Sequence, residues 1–276
     1  MIQLNKQQYE KALPALMEVK INNLFARSVV ENHVEGMVYA DQCNHPETFY
    51  VVHPYGLSLL FGKPDNKKFN KAFLNHALNR NRKRGALEFM QVYPTAWEEK
   101  LTALFGKHLV YPMDSNPNNQ QGLIELHSRI NYQFNEERYR LLKQSSWEAN
   151  YQIVPINERM YEAIRGSVVP DFYWKNAAHF ANDGIGFAVI IDGKIASFAF
   201  SAFVHDNKIE IGVETYPEYQ RKSLAQYACM AVIDYCLKNK RIPVWACRKG
   251  NTGSCKLAEK MGFEPVKAHA YYKLSF

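Results

Sequence analysis

One stretch near the C-terminal end constrains the fold most. It reads E-T-Y-P-E-Y-Q-R-K-S-L-A-Q-Y-A-C-M-A-V-I-D-Y-C-L and covers residues 214–237. Just ahead of it, Ile209, Ile211 and Val213 alternate with Glu210, Gly212 and Glu214, the period of a strand. Pro217 cannot donate to a ladder and ends that strand. A short loop follows through Gln220, Arg221, Lys222 and Ser223. The chain then turns apolar almost all round, through Leu224, Ala225, Tyr227, Ala228, Cys229, Met230, Ala231, Val232, Ile233, Tyr235, Cys236 and Leu237. Such a run reads as a helix buried against a sheet. Strand, loop and buried helix leave the first helical N–H groups without intrahelical acceptors, at the positive end of the helix dipole. Arg221 and Lys222 add formal charge at the same place. Charge alone leaves two readings open: a cradle for a phosphate, or a solvated basic turn ahead of a core helix.

These residues also carry a resemblance. Gln220, Ser223 and Ala225 form Q-x-x-S-x-A, which resembles the acetyl-CoA loop R/Q-x-x-G-x-G/A of the GCN5-related N-acetyltransferases (GNAT). In that family the loop amides hold the CoA pyrophosphate. Ser223 stands where the family has its central glycine. Serine suits the position if its backbone is helical, and its hydroxyl can donate to phosphate; close backbone approach would ask for glycine. A second motif follows in the right order. Val244-Trp245-Ala246-Cys247 reads as a buried strand, and Asn251 to Ser254 with Leu257 to Phe263 is similar to N-x-x-S-x-x-L-Y-E-K-L-G-F, with Gly262 as the helix C-cap. Glu214-Thr215, Tyr235-Cys236-Leu237 and Pro243-Val244-Trp245-Ala246-Cys247 narrow the resemblance to the branch similar to zwittermicin A resistance acetyltransferases. It covers roughly the last 125 residues, and extends weakly through residues 36–41 and Pro54-Tyr55-Gly56.

The resemblance implies an α+β (mixed α/β) fold. A GNAT-like domain with a splayed, mostly antiparallel sheet flanked by helices is expected over residues 141–276. A mixed α/β domain is expected over residues 1–140. Periodicity in this first half predicts helices at 9–19, 22–33, 67–83 and 96–105 and strands at 36–40, 48–52, 57–61, 87–93 and 108–111. That element order suggests a degenerate GNAT-like copy, but residues 62–66 lack the glycine spacing of a phosphate cradle. Residues 112–122 are polar and turn-rich and read as a linker. Beyond it come a strand at 123–134, helices at 136–144 and 157–165, and a strand at 151–155. A helix capped by Asp171 is expected to carry Phe172, Tyr173 and Trp174, and Asp192-Gly193 signals a two-residue hairpin.

Composition narrows the class. Of the 276 residues 47% are hydrophobic, enough for a packed core. No apolar run reaches the ~18 residues that span a bilayer, and the N-terminus lacks a signal-peptide core, so a cytoplasmic protein with no membrane partner is expected. The five cysteines have no C-x-x-C spacing and read as buried, reduced thiols. The net charge of +7 suits an anionic cofactor. Its densest cluster, Arg80, Arg82, Lys83 and Arg84, falls at an expected helix C-terminus, where the dipole favours cations, so nucleic acid is not an expected partner.

Acetyl transfer from a thioester to an amine needs a neutral amine, a proton acceptor, N–H donors on the thioester carbonyl and a held geometry; no metal is required. The resemblance implies acetyl-CoA as donor and a small-molecule amine as acceptor. It places Val213 and Thr215 beside the cofactor, Gln220, Arg221, Lys222, Ser223, Leu224 and Ala225 around its pyrophosphate, and Asn251 and Ser254 near its pantetheine arm. Glu214 and Glu210 are the candidate bases. The family's tyrosine acid is replaced by Ala258; Tyr271 or Tyr272 on the last strand, or a water, can serve instead, or the thiolate departs unprotonated with help from the helix dipole. The same residues admit a second reading, a non-catalytic GNAT-fold module that binds acyl-CoA or a protein. Either reading is compatible with a homo-oligomer.

Overall fold

The computed structural model describes residues 1–112, 122–144 and 151–276. The expected linker therefore lies, except for its two ends, outside the described residues.

In chain order the elements are β1 (Ile2–Gln3), a 3-10 turn (Lys6–Ala12), α1 (Leu13–Met17), α2 (Leu24–Val30), β2 (Met37–Ala40), β3 (Thr48–Val52), β4 (Leu57–Gly62) and α3 (Lys67–Ala77). Next come β5 (Glu88–Tyr93), α4 (Ala96–Phe105), β6 (Leu109–Val110), β7 (Ile124–Phe134), α5 (Glu136–Gln144), β8 (Gln152–Pro155), α6 (Glu158–Ala163) and α7 (Ala177–Asp183). The chain ends with β9 (Gly186–Ile191), β10 (Lys194–His205), β11 (Lys208–Thr215), α8 (Leu224–Lys238), β12 (Ile242–Arg248), α9 (Thr252–Lys260) and β13 (Phe263–Leu274). Among the described residues no helix is long and apolar enough to cross a membrane.

Local chemistry explains most boundaries. Pro14 falls in the first turn of α1, where its missing N–H leaves no bond unmade. Asp192 and Gly193 both take positive φ, as a two-residue hairpin turn between β9 and β10 requires. Two expectations need correction. Helix α3 stops at Ala77 rather than 83, because Asn79 and Arg82 turn left-handed. The basic cluster thus lies beyond the helix, and Arg84 is buried and donates to the carbonyls of Ala77, Ala86, Leu274 and Ser275. Asp171 does not cap a long helix. It sits in a 3-10 turn (Pro170–Phe172), and Asn176 caps α7 by accepting from the His179 N–H at 2.8 Å.

Contacts divide the chain into two compact units. One comprises Met1–Arg129, Arg248–Gly250 and Ala268–Phe276; the other Ile130–Cys247 and Asn251–Lys267. Strands β7 and β13 each give residues to both. In the first unit β1 to β5 pair in sequence order and the end of β13 joins β5; only β4 and β5 are parallel among these. Helices α3 and α4 bury Phe69, Phe73, Trp97, Leu101 and Phe105 against Tyr50, Leu60 and Tyr272. In the second unit the order is β8, β9, β10, β11, β12, antiparallel except for β11 and β12. Helix α8 buries Leu224, Ala228, Cys229, Val232, Ile233 and Cys236 against Ala196, Ala199, Ile209, Ile211, Trp245 and Phe263. Full burial of each large apolar side chain contributes about 1.5–3 kcal/mol, and this face fixes the direction of the helix and so of its N-terminus.

Candidate active site

Among the described residues the β11/β12 ladder runs only from Lys208↔Ile242 to Glu210↔Val244. Strand β11 continues to Thr215, so its last five residues leave β12 and the sheet splays. Which groups face the opening follows from strand alternation. The Tyr216 N–H donates to Ala196 of β10, while Asn207 accepts from the Ile242 N–H on the β12 side. Even residues therefore turn their backbone to β10, and Ile211, Val213 and Thr215 present N–H and C=O groups to the opening. Gln220 Nε2 reaches the Thr215 carbonyl from that side at 3.4 Å.

The loop to α8 begins with a 3-10 turn (Pro217–Tyr219), and Gln220 is extended. Arg221 then has φ 63°, Lys222 is not left-handed, and Ser223 has φ 60° and ψ 12°. Alternating handedness turns successive N–H groups toward one concave side, the geometry of an anion-binding nest. This corrects the expectation for Ser223: its backbone is left-handed, the region glycine favours, and a side chain held there costs on the order of 1 kcal/mol. Its hydroxyl makes no capping bond to α8. Residues 220–223 are exposed, and Lys222 Nζ lies 5.5 Å from the Tyr219 ring centroid. Leu224 is buried in the core and Ala225 half-buried, which seats the first helical turn.

At the other motif, Asn251 caps α9 by accepting from the Ser254 N–H at 3.1 Å. Ser254 Oγ accepts from Trp245 Nε1 at 3.2 Å. Gly262 has φ 80° and follows the helix end, as its C-cap motif requires.

The candidate acid–base residues separate. Ile209, Ile211 and Val213 face α8, so Glu210, Gly212 and Glu214 lie on the opposite face. Glu210 is buried at the last pair of the ladder, where the splay begins. Glu214 is engaged by a loop: the Ser167 N–H donates to both its carboxylate oxygens at 3.1 and 2.9 Å, Ser167 Oγ approaches at 3.3 Å, and the Val168 N–H donates as well. Gly166, at φ 149°, is pressed so close that a Cβ would fall 2.5 Å from the Glu214 carboxylate. The Arg165 N–H donates to the Tyr216 hydroxyl at 3.2 Å. Tyr271 belongs to the first unit, buried in a stack with Phe89 and beneath the Arg129 guanidinium; burial raises its phenol pKa. Ala258, at the position of the family's tyrosine acid, is fully buried.

Sequence reasoning missed Ser167, Val168 and Tyr216, whose partners lie about 50 residues away in the chain. It also missed Ser197, whose Oγ donates to the Glu214 carbonyl at 3.0 Å and lies 2.7 Å from Thr215 Oγ1.

A parallel strand pair that parts early, with a nest-like loop leading into a buried helix, is the arrangement of a GNAT-type acyltransferase fold, and comparison with known proteins agrees. The GNAT acetyltransferase family model matches residues 15–272, and the chain belongs to that family. It is an acyltransferase of the GNAT type. It is 23% identical over 274 residues to an uncharacterized N-acetyltransferase, YdfB, of Bacillus subtilis (strain 168), with 98% of this chain and 97% of that one covered. A GCN5-related N-acetyltransferase-like protein from Streptococcus suis 89/1591 superposes with a TM-score of 0.70 at 18% identity, over 98% of this chain and 100% of that one. A tandem GNAT protein from the clavulanic acid biosynthesis pathway matches 99% of this chain and 97% of its own, with a TM-score of 0.61 at 12% identity. The fold is therefore that of a two-domain GNAT chain.

Proposed function

We propose that the protein transfers the acetyl group of acetyl-CoA directly to the amine of a small molecule, at the site in the second unit. The observation that carries this reading is the open edge of β11 running into a loop whose N–H groups converge ahead of α8. Resemblance to zwittermicin A resistance acetyltransferases supports an amino-containing natural product as the acceptor. Acetyl-CoA supplies the activated acetyl group. The N–H groups of Gln220 to Ala225, with Ser223 Oγ, hold the pyrophosphate, and Arg221 and Lys222 offset its charge. The Val213 and Thr215 N–H groups face the pantetheine arm and donate to the thioester carbonyl, where charge develops.

Glu210 is the base. It takes the proton of the attacking amine, directly or through a water, as the N–C bond forms and the C–S bond breaks. Glu214 holds residues 165–168 in place instead, since its oxygens already accept from that loop. With Ala258 buried and without a hydroxyl, the thiolate departs without the family's phenol and is protonated by solvent.

Calorimetric titration with acetyl-CoA and with CoA tests the cofactor assignment, and thiol release against a panel of small amines tests the reaction. Micromolar binding of both ligands together with amine-dependent thiol release is the expected result. Absence of binding by either ligand would overturn the reading.

A further inference from the structure

Cys247 and Cys255 carry an observation the reaction does not use. Their sulfurs lie 3.6 Å apart, one at the end of β12 and the other in the first turns of α9. Cys247 is buried and Cys255 half-buried, and neither is in a disulfide. A disulfide bond measures about 2.05 Å, so closing the pair needs the sulfurs to approach by roughly 1.5 Å. Spacing gave no hint of this, because the two cysteines are eight residues apart and the loop between them turns the chain back. The other thiols differ: Cys229 and Cys236 are buried within α8, and burial pushes the Cys236 thiol up to about 12. The Cys247 thiol is likewise held protonated by burial. That leaves the more accessible Cys255 as the sulfur that meets a reagent first.

We propose that Cys255 and Cys247 form a modification site, an oxidisable dithiol that takes a peroxide as its co-reactant. The Cys255 thiol gives up its proton and the thiolate attacks a peroxide oxygen; the O–O bond breaks, the sulfur becomes a sulfenic acid, and the departing hydroxide takes up the released proton as one water. Cys247 then attacks the Cys255 sulfur. The S–S bond forms, the S–O bond breaks, and the Cys247 proton leaves with the hydroxide as a second water. In sum, two thiols and one hydrogen peroxide give one disulfide and two waters. A low-molecular-weight thiol reverses the step by exchange.

The bond would tether β12 to the helix that carries Asn251 and Ser254. Ser254 accepts from Trp245 on the same strand, so the tether draws on both sides of the expected pantetheine arm. That consequence rests on the acetyl-CoA reading above; the cross-link itself does not.

The native full-length chain is treated with hydrogen peroxide, blocked with N-ethylmaleimide and digested with trypsin. Cleavage after Arg241, Arg248, Lys249 and Lys256 puts Cys247 alone in Ile242–Arg248 and Cys255 alone in residues 250–256. The expected result is one cross-linked species of these two peptides, lighter by two hydrogens than their sum, abolished by dithiothreitol and absent in C247S and in C255S. Recovery of both peptides as separate maleimide adducts, or of Cys255 as its sulfinic acid, would overturn the proposal. In parallel, CoA affinity is measured on reduced and oxidised protein. A loss of about tenfold on oxidation, seen in the wild type and not in C255S, supports the tether. Cross-linking with unchanged affinity would overturn the tether. Failure of the reduced protein to bind CoA would count against the cofactor reading alone, because the peptide masses still decide the cross-link.

Discussion

In the first unit β4 and β5 run parallel, joined by α3, and pair without interruption from Leu57↔Phe89 to Phe61↔Tyr93. In the second, β11 and β12 run parallel, joined by α8, and part after Glu210↔Val244. The two helix starts differ as well. At α3 the chain satisfies itself: Asn66 accepts from the Phe69 N–H at 3.0 Å, Asn70 Nδ2 donates to the Pro64 carbonyl at 2.8 Å, and Trp97 Nε1 to the Gly62 carbonyl at 3.0 Å. At α8 no side chain caps the helix, and two left-handed residues aim the backbone outward. The same strand–helix–strand order thus gives a closed core in one unit and an open one in the other. Topology alone does not make a cofactor site. The ladder must end early and the helix N-terminus must be left for a ligand.

Substitutions can break or sharpen this contrast. The largest effect is expected from Ser223→Trp. Its indole would occupy the concave loop, and acetyl-CoA binding should disappear from calorimetry while thermal stability stays close to wild type. Retained binding would mean that the loop is not the anion site. Glu210→Gln should lower kcat/KM by about 10²–10⁴-fold while leaving CoA affinity unchanged. If Glu214→Gln proved the more damaging to turnover, with binding intact, the roles of the two carboxylates would have to be exchanged.

In the closed unit the expected effects fall on stability alone. Arg84→Ala removes the cation 3.7 Å from the buried Glu88 carboxylate and four donors to backbone carbonyls. Chemical denaturation should show a loss of about 3–5 kcal/mol. The folded fraction should still bind CoA normally. The smallest effect depends on pH. His53 is buried, its Nδ1 accepts from the Tyr55 N–H at 3.1 Å, and burial lowers its pKa from 6.5 to about 3. The unfolded chain takes up a proton at His53 below pH 6.5 that the folded chain refuses until about pH 3. The stability held by neutral His53 is therefore fully present above 6.5 and declines as the pH falls, by up to about 1.4 kcal/mol per pH unit. His53→Asn keeps an acceptor and cannot titrate, so the fall in Tm between about pH 6.5 and 4 should become shallower. An unchanged slope would assign the acid sensitivity elsewhere.

Legibility in the sequence followed the range of the interactions. Strand β11, helix α8 and the Asp192-Gly193 hairpin were readable because each rests on a period or on neighbouring residues. The loop was readable as a motif, but the left-handed backbone at Ser223 was not, since serine carries no such preference. The engagement of the Glu214 carboxylate was not readable, because its donors lie 46 and 47 residues upstream. Arg84 read as a cation at a helix C-terminus because two of its acceptors lie 190 and 191 residues downstream. The end of α3 at Ala77 was misplaced because a run of asparagine and basic residues does not announce the left-handed turns at Asn79 and Arg82.

The end of β13 has a further consequence for how the chain is made. Residues 268–276 belong to the first unit, with Tyr272 and Leu274 in its core and Tyr271 paired with Gln91. They are nevertheless made only after every residue of the second unit. The unit that is synthesised first cannot complete its sheet until the second unit has been made, and the edge of β5 must wait without β13 while that second unit emerges. An open edge of that kind is a template for wrong partners, so in this chain the order of synthesis and the order of completion run in opposite directions.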